Sequence, residues 1–385
     1  MKKRYKLIIE PMTPVHIGTG VELTPLDYKL TSQLGELNFK KIMYLKFSSD
    51  RILERLIECN DMKKLVQFEK ASVSGNMKEL QAFFQNNLST LEDLDYPCEV
   101  TKGFVSRYNS NSGKDPYDNA LQVYQIYRPE GSKAPVIPGS SLKGSIRTAI
   151  LNHILYNLPN KQYEKLKDEY LQDNDKSKAK FEPKLQKKLL ENYSDAKEDP
   201  FRGVQIADCI FSAKNTQLVG ELYNVSLKKD EIEPIGIQII AEVLKGSLMG
   251  SFKRAETTIV IDSDLQKTNQ LSKKITMTDI IKSCNDFYKT QFDKEFEKFY
   301  ENDFSESCDK MDDLDKRIAD IVKSNDNSFI IRVGRWSQVE FVTMGSDFRN
   351  PKTPTRKWGG TRTLFDYNGQ YLPMGWCKCT VEEID

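Results

Sequence analysis

Lys143 and Arg147 stand four residues apart, just after an apolar run that closes on Pro138-Gly139 and two serines, Ser140 and Ser141. Cations at that spacing share one side of a helix. A helix whose first amides point out of a tight turn suits a phosphate. Ser140 or Ser141 is expected to cap this helix, and Leu142, Ile146, Ile150 and Ile154 to dock it. Gly144 lies between the two cations. The stretch lacks the GxxxxGK[ST] run of a nucleoside-triphosphate loop. The phosphate it suggests therefore belongs to a nucleic-acid backbone, against the plainer reading of an ordinary capped helix.

A second constellation lies near the C-terminus. Residues 349–362, RNPKTPTRKWGGTR, carry Arg349, Lys352, Arg356, Lys357 and Arg362 around Trp358, and no acid. Cations around an aromatic ring on a Gly/Pro-rich loop suit single-stranded RNA, because charges follow phosphates while the ring stacks a base. Arg332, Arg335 and Trp336 around Gly334 repeat the combination on a smaller scale. Arg202, in the turn Asp199-Pro200-Phe201-Arg202-Gly203, either reaches RNA or pairs with a nearby acid. His16 sits with Gly18 in a glycine-containing loop, where a metal-independent ribonuclease would keep its general base; the alternative is a structural histidine bonded within a turn. The other histidine, His153, falls on the apolar face of its helix. Asp27 and Asp208 are the acids nearest these loops, and nothing in their spacing makes them catalytic.

Metal and cofactor chemistry find little support. Seven cysteines are scattered and odd in number, which suits reduced cytoplasmic thiols, and Cys377-Lys378-Cys379 has no second pair to complete a zinc site. No nucleotide-cofactor fingerprint, nucleophile elbow or kinase set is present. Lysine and arginine number 57 against 56 acids, so any grip on RNA must come from local patches. No apolar run is long enough to span a membrane, and no signal peptide is read.

The elements that must position these residues form an α+β pattern. Strands are expected at 4–10, 97–107, 121–127, 204–211, 216–227 and within 235–261. Helical, charged insertions are expected at about 50–90 and 160–199, and a further helical segment at 278–325 with Phe292, Phe296 and Tyr300 inward. Strand–glycine–helix units recur at 134–154 and 328–345. The reading is two ferredoxin-like, RRM-like modules with antiparallel sheets, residues 1–230 and 231–385, without the aromatic signature of an RRM.

TPVHIGTG at 13–20, VIPGSSLKGSIRTAI at 136–150, DPFRGVQIADC at 199–209, the glycine turn at 332–345 and YLPMGW at 371–376 occur in a particular order. Together they closely resemble the RAMP superfamily of CRISPR effector proteins, and within it the fifth-subunit group of type III-A (Csm) complexes, over nearly the whole chain. The resemblance implies RAMP folds and a non-catalytic, crRNA-binding subunit that caps the filament at the crRNA 3′ end and supports 3′ maturation and antiviral defence. It implies contacts with the backbone RAMP subunit, and brings the small helical subunit, target RNA and a host trimming nuclease into view as further partners. By position, Ser140, Ser141, Lys143, Gly144 and Arg147 would be the RNA-facing loop and helix, His16 and Gly18 the N-terminal loop, and Arg202 the DPFR turn. Gly334 and Arg335 would open the C-terminal glycine-rich loop, although RVGRWSQ lacks further glycines. The alternatives are a metal-independent RAMP endoribonuclease with His16 as base, or a purely structural protein cap.

Overall fold

The computed structural model describes residues 2–111, 114–116, 119–172, 181–190, 197–214, 216–226, 239–250, 252–266, 274–300, 309–324, 326–349 and 359–384. The chain opens with β1 (Lys2–Pro11), β2 (Gly18–Leu23), β3 (Tyr28–Leu34) and β4 (Leu37–Phe47). Then come α1 (Ser49–Glu58), α2 (Met62–Ser74) and α3 (Met77–Asn87), capped by Ser48, Asp61 and Asn76, each accepting from a first-turn amide. These helices form the first charged insertion. β5 (Leu94–Val100) ends earlier than its apolar run suggests, because Thr101 Oγ1 accepts from Phe104 N and starts α4 (Lys102–Ser110). A strand was expected through 107; a hydroxyl in the right backbone conformation won.

β6 (Val123–Ile126) and β7 (Val136–Ile137) lead into α5 (Gly139–Tyr156). The second insertion supplies α6 (Asn160–Gln172) and α7 (Phe181–Leu189). β8 (Val204–Ile206), β9 (Cys209–Ile210), β10 (Gln217–Ser226), β11 (Ile239–Leu244) and β12 (Ala255–Asp262) follow. The long α8 (Met277–Phe299) begins with a reciprocal Thr276–Asp279 capping box. After α9 (Asp309–Lys323) and β13 (Ser328–Arg332), the expected helix in 328–345 is a single turn, α10 (Val339–Val342). β14 (Thr361–Tyr367), β15 (Gln370–Pro373) and β16 (Trp376–Ile384) complete the chain.

A five-stranded antiparallel sheet runs in the order β13-β16-β1-β12-β8. The sequence β1–α5–β8–β12–α8–β13 is the ferredoxin-like alternation of strands and helices, with the C-terminal β16 wedged between the fourth strand and the first. Tyr5, Leu7 and Ile9 of β1 alternate inward and pack with Leu142, Ile146 and Ile150 of α5, Phe292 of α8 and Trp376 of β16 in one core. A second sheet runs β2-β6-β11-β10-β5-β4-β3, with β14 beside β10 and β15 beside β14. It is mixed rather than purely antiparallel, since β5–β10 and β6–β11 pair in parallel. Each sheet draws strands from both sides of residue 230, so that position separates no sheet from another.

Candidate nucleic-acid interface

A groove of about 420 Å³ opens where three distant segments meet: Gly18 at the start of β2, one side of the first half of α5, and the end of β13 with the loop after it, from Arg332 to Arg335 and at Ser337, Phe341 and Val342. Backbone hydrogen bonds fix this meeting. Val15 and Leu244 exchange bonds of 3.1 and 2.8 Å, Gly375 N donates to Pro14 O at 2.8 Å, and Arg335 N donates to His16 O at 2.8 Å. Gly334 has φ +90°, and a β-carbon there would stand 2.4 Å from His16 O, so glycine alone permits the crossing. Trp336 and Gln338 also take positive φ, 64° and 67°. For side chains of this size that is a costly backbone, of the sort found at functional loops.

The α5 side of the groove is small and polar. Ser141, Gly144, Ser145 and Thr148 line it. Ser145 Oγ donates to Arg332 O at 3.1 Å, tying helix to loop. A β-carbon added at the exposed Gly144 would meet nothing within 4 Å among the described residues beyond its own helix backbone. Glycine here is therefore not demanded by the protein's own packing, although it costs helix stability. Opposite, exposed Arg335 lays its guanidinium 4.3 Å from the Tyr124 ring centroid and 5.0 Å from that of Trp336.

His16 lies behind this wall. Its Nδ1 donates to Glu242 O at 2.7 Å, its ring lies 4.9 Å from that of Trp336, and Nε2 is buried without a hydrogen-bond partner among the described residues. Burial, with Arg335 and Arg128 nearby, lowers its pKa to about 4. The imidazole is neutral at physiological pH, and its free nitrogen is closed off rather than presented to the groove. Behind it, buried Glu242 accepts from Arg128 Nη1 (2.7 Å), the Tyr96 hydroxyl (2.9 Å) and Ile126 N (3.0 Å). Neither Arg128 nor Glu242 belongs to any motif, and only their meeting in space reveals them.

The start of α5 differs from expectation. The helix begins at Gly139, ahead of the two serines, with Pro138 at its N-cap and no side-chain cap bond. Gly139 N donates to Asp208 Oδ1 at 2.8 Å, and Ser141 N donates to Pro138 O at 3.0 Å. A carboxylate of the chain thus stands where a phosphate was expected. Ile206 O would lie 2.0 Å from a β-carbon on Gly139, so the approach is also filled. Ser140 remains exposed beside this turn.

Lys143 and Arg147 face away from the groove, on a different line of the helix from Ser141, Ser145 and Thr148. Arg147 Nη1 bonds both oxygens of Asp199 at 3.0 and 2.8 Å, its Nε reaches Gln186, and its guanidinium sits over Phe201. Lys143 is half-buried; burial lowers its pKa, Asp199 works upward and Arg147 downward. Arg202 is exposed and bonds Lys197 O. The structure therefore divides the expected RNA-facing set: Gly18, Ser141, Gly144, Gly334 and Arg335 line one groove, Trp336 stands behind Arg335 and packs on His16, and Lys143, Arg147 and Arg202 gather around Asp199.

The C-terminal basic loop requires a larger correction. Arg349 and Arg362 are buried. Arg362 Nε meets Glu295 at 2.6 Å and its Nη2 meets Glu340 at 3.5 Å; Arg332 pairs with the same Glu295 at 2.8 Å. Arg349 Nη2 donates to Glu340 O at 3.0 Å. Arg332 and Arg362 neutralise two carboxylates brought in by α8 and α10, Arg349 is held by a backbone carbonyl, and these guanidiniums cannot grip a phosphate. Lys352, Arg356, Lys357 and Trp358 lie outside the described residues. Among the described residues no three metal-ligating side chains come together, and no helix is long and apolar enough to cross a membrane.

Comparison with known proteins bears on this geometry. The model of the RAMP superfamily matches residues 8–337. The chain is 25% identical over 403 residues to the CRISPR system Cms protein Csm5 of Methanocaldococcus jannaschii, covering 97% of this chain and 88% of that protein. It superposes on a chain of a Csm–crRNA–target RNA ternary complex of a type III-A CRISPR-Cas system with TM-score 0.61 and 18% identity, covering 99% and 100% of the two chains. The crystal structure of T. onnurineus Csm5 gives TM-score 0.62 at 16% identity, over 96% and 99%.

Proposed function

The chain belongs to the RAMP superfamily, and from that premise we propose that it is a non-catalytic RNA-binding subunit of a cytoplasmic type III-A CRISPR ribonucleoprotein, capping the filament at the crRNA 3′ end. Full-length likeness to a Csm5 protein and to a chain of a crRNA–target RNA assembly supports the choice of complex. Its partners on this reading are crRNA, target RNA and the neighbouring Csm subunits.

The observation that carries the proposal is the convergence of Gly18, Gly144 and Gly334 on one groove beside Arg335, whose guanidinium rests against Trp336. Bare backbone lets a sugar–phosphate chain come close and a guanidinium holds phosphate, neither of which reads a base's identity. A guide whose sequence varies needs that indifference. His16 supports the non-catalytic reading: it is neutral, buried and bonded to the chain's own carbonyl, and its free nitrogen meets no hydrogen-bond partner among the described residues. Its part is to hold the loop that carries Arg335.

The test uses particles assembled with and without this chain. With it present, the guide's 3′ end should resist an added exonuclease; an equally resistant end in its absence would refute the cap. Labelled repeat RNA incubated with the purified chain in EDTA should stay intact, and cleavage that disappears with His16→Ala would make the protein a nuclease instead.

A further inference from the structure

A second cavity, of about 500 Å³, lies between the last turns of α5 and the middle of α8. It shares no lining residue with the groove above. Four of its residues, Lys282, Asp286, Thr290 and Lys294, recur every four positions along α8 and so form one stripe. The two lysines are exposed, and neither has an ion-pair partner among the described residues. They mark the ends of a track about 18 Å long, from the rise of the helix. Across from them, α5 offers Tyr156, which is 52% exposed and whose ring is backed by Tyr163 in a stacked arrangement at 5.9 Å. The cavity also holds an orphan: Gln291 is only 7% exposed, yet its Oε1 has no hydrogen-bond partner among the described residues. A buried polar atom left unsatisfied asks for a ligand donor.

We propose that this cavity is a second single-stranded RNA site, separate from the groove at the start of α5. Tyr156 supplies the stacking platform, the Gln291 amide accepts from a base edge, and Lys282 and Lys294 hold phosphates at the two ends. Asp286, between the lysines and 4.0 Å from His153, keeps phosphate out of the middle and accepts from ribose hydroxyls. An aromatic plate, a buried amide and cations at both ends of a narrow track suit a few nucleotides better than an acidic peptide, which would place carboxylates against Asp286.

The experiment titrates the full chain with a fluorescent tetranucleotide RNA and, separately, with an oligoglutamate peptide. Two RNA molecules should bind per chain. Tyr156→Ala should weaken one class roughly 5- to 100-fold, from the usual worth of base–aromatic stacking. Lys282→Glu with Lys294→Glu should abolish that class, while Arg335→Glu removes only the other. All these positions are exposed, so circular dichroism should report an intact fold. A single RNA class removed by Arg335→Glu, an unaltered titration with the Tyr156 and lysine variants, or peptide binding without RNA binding would each overturn the proposal.

Discussion

Gly144 tests the groove most sharply, because stability and binding should move in opposite directions there. It sits inside the helix, is exposed, and, its own helix backbone aside, no atom of the described residues lies within 4 Å of where a β-carbon would stand. Alanine should fit without displacing anything and should raise stability by about 0.8–1 kcal/mol through helix propensity. In a folded chain of this size the melting shift is only about 1 °C, so the midpoint in urea is the better readout. If a phosphate approaches the helix backbone at this point, the same methyl group obstructs it. Losing one charge-assisted hydrogen bond costs about 1.5–3 kcal/mol, which predicts roughly 10- to 100-fold weaker binding of guide-length RNA by fluorescence anisotropy. Gly144→Leu should weaken it further. A leucine variant that is stable and binds RNA as the unmodified chain does would refute the groove as the RNA track, whatever the family membership.

Other substitutions should follow the same geometry. Arg335→Ala should reduce the slope of log affinity against log salt by about 0.7, the loss of one phosphate contact on a single strand, read from titrations at several salt concentrations. Arg147→Met should leave RNA affinity nearly unchanged, since that guanidinium already holds Asp199 and covers Phe201; a large loss would return it to the interface. Glu295→Gln should lower stability by about 3–5 kcal/mol in chemical denaturation, as it leaves Arg332 and Arg362 buried beside a neutral amide. His16 has a folded pKa below its unfolded one, so the unfolded chain takes the proton first. Its contribution is complete above about pH 6.5 and fades as pH falls toward 4. Stability should drop by about 2 kcal/mol from this group between pH 7.5 and 5, and His16→Asn should flatten that part of the pH profile.

The fold class was legible because its signals are local. Alternating Tyr5, Leu7 and Ile9 announce a strand, and Leu142, Ile146 and Ile150 a helix face, whatever lies elsewhere. The blocks around His16, Ser140 and Gly334 were legible as motifs, and the groove does draw on all three. Thr101 was missed because a strand-like composition hid a capping hydroxyl. The interleaving of strands across residue 230 was missed because β16 finds its place only against β1 and β13, which are remote in the chain.

What the chain by itself determined was therefore a set of elements and the residue types able to meet RNA. Which cations are available for that purpose was decided only by folding. Arg147 and Arg362 look as free in sequence as Arg335 does, but Asp199, Glu295 and Glu340 arrive from elsewhere and claim them. An ion pair depends on distance in space, and neither charge nor spacing along a chain encodes that distance for residues so far apart.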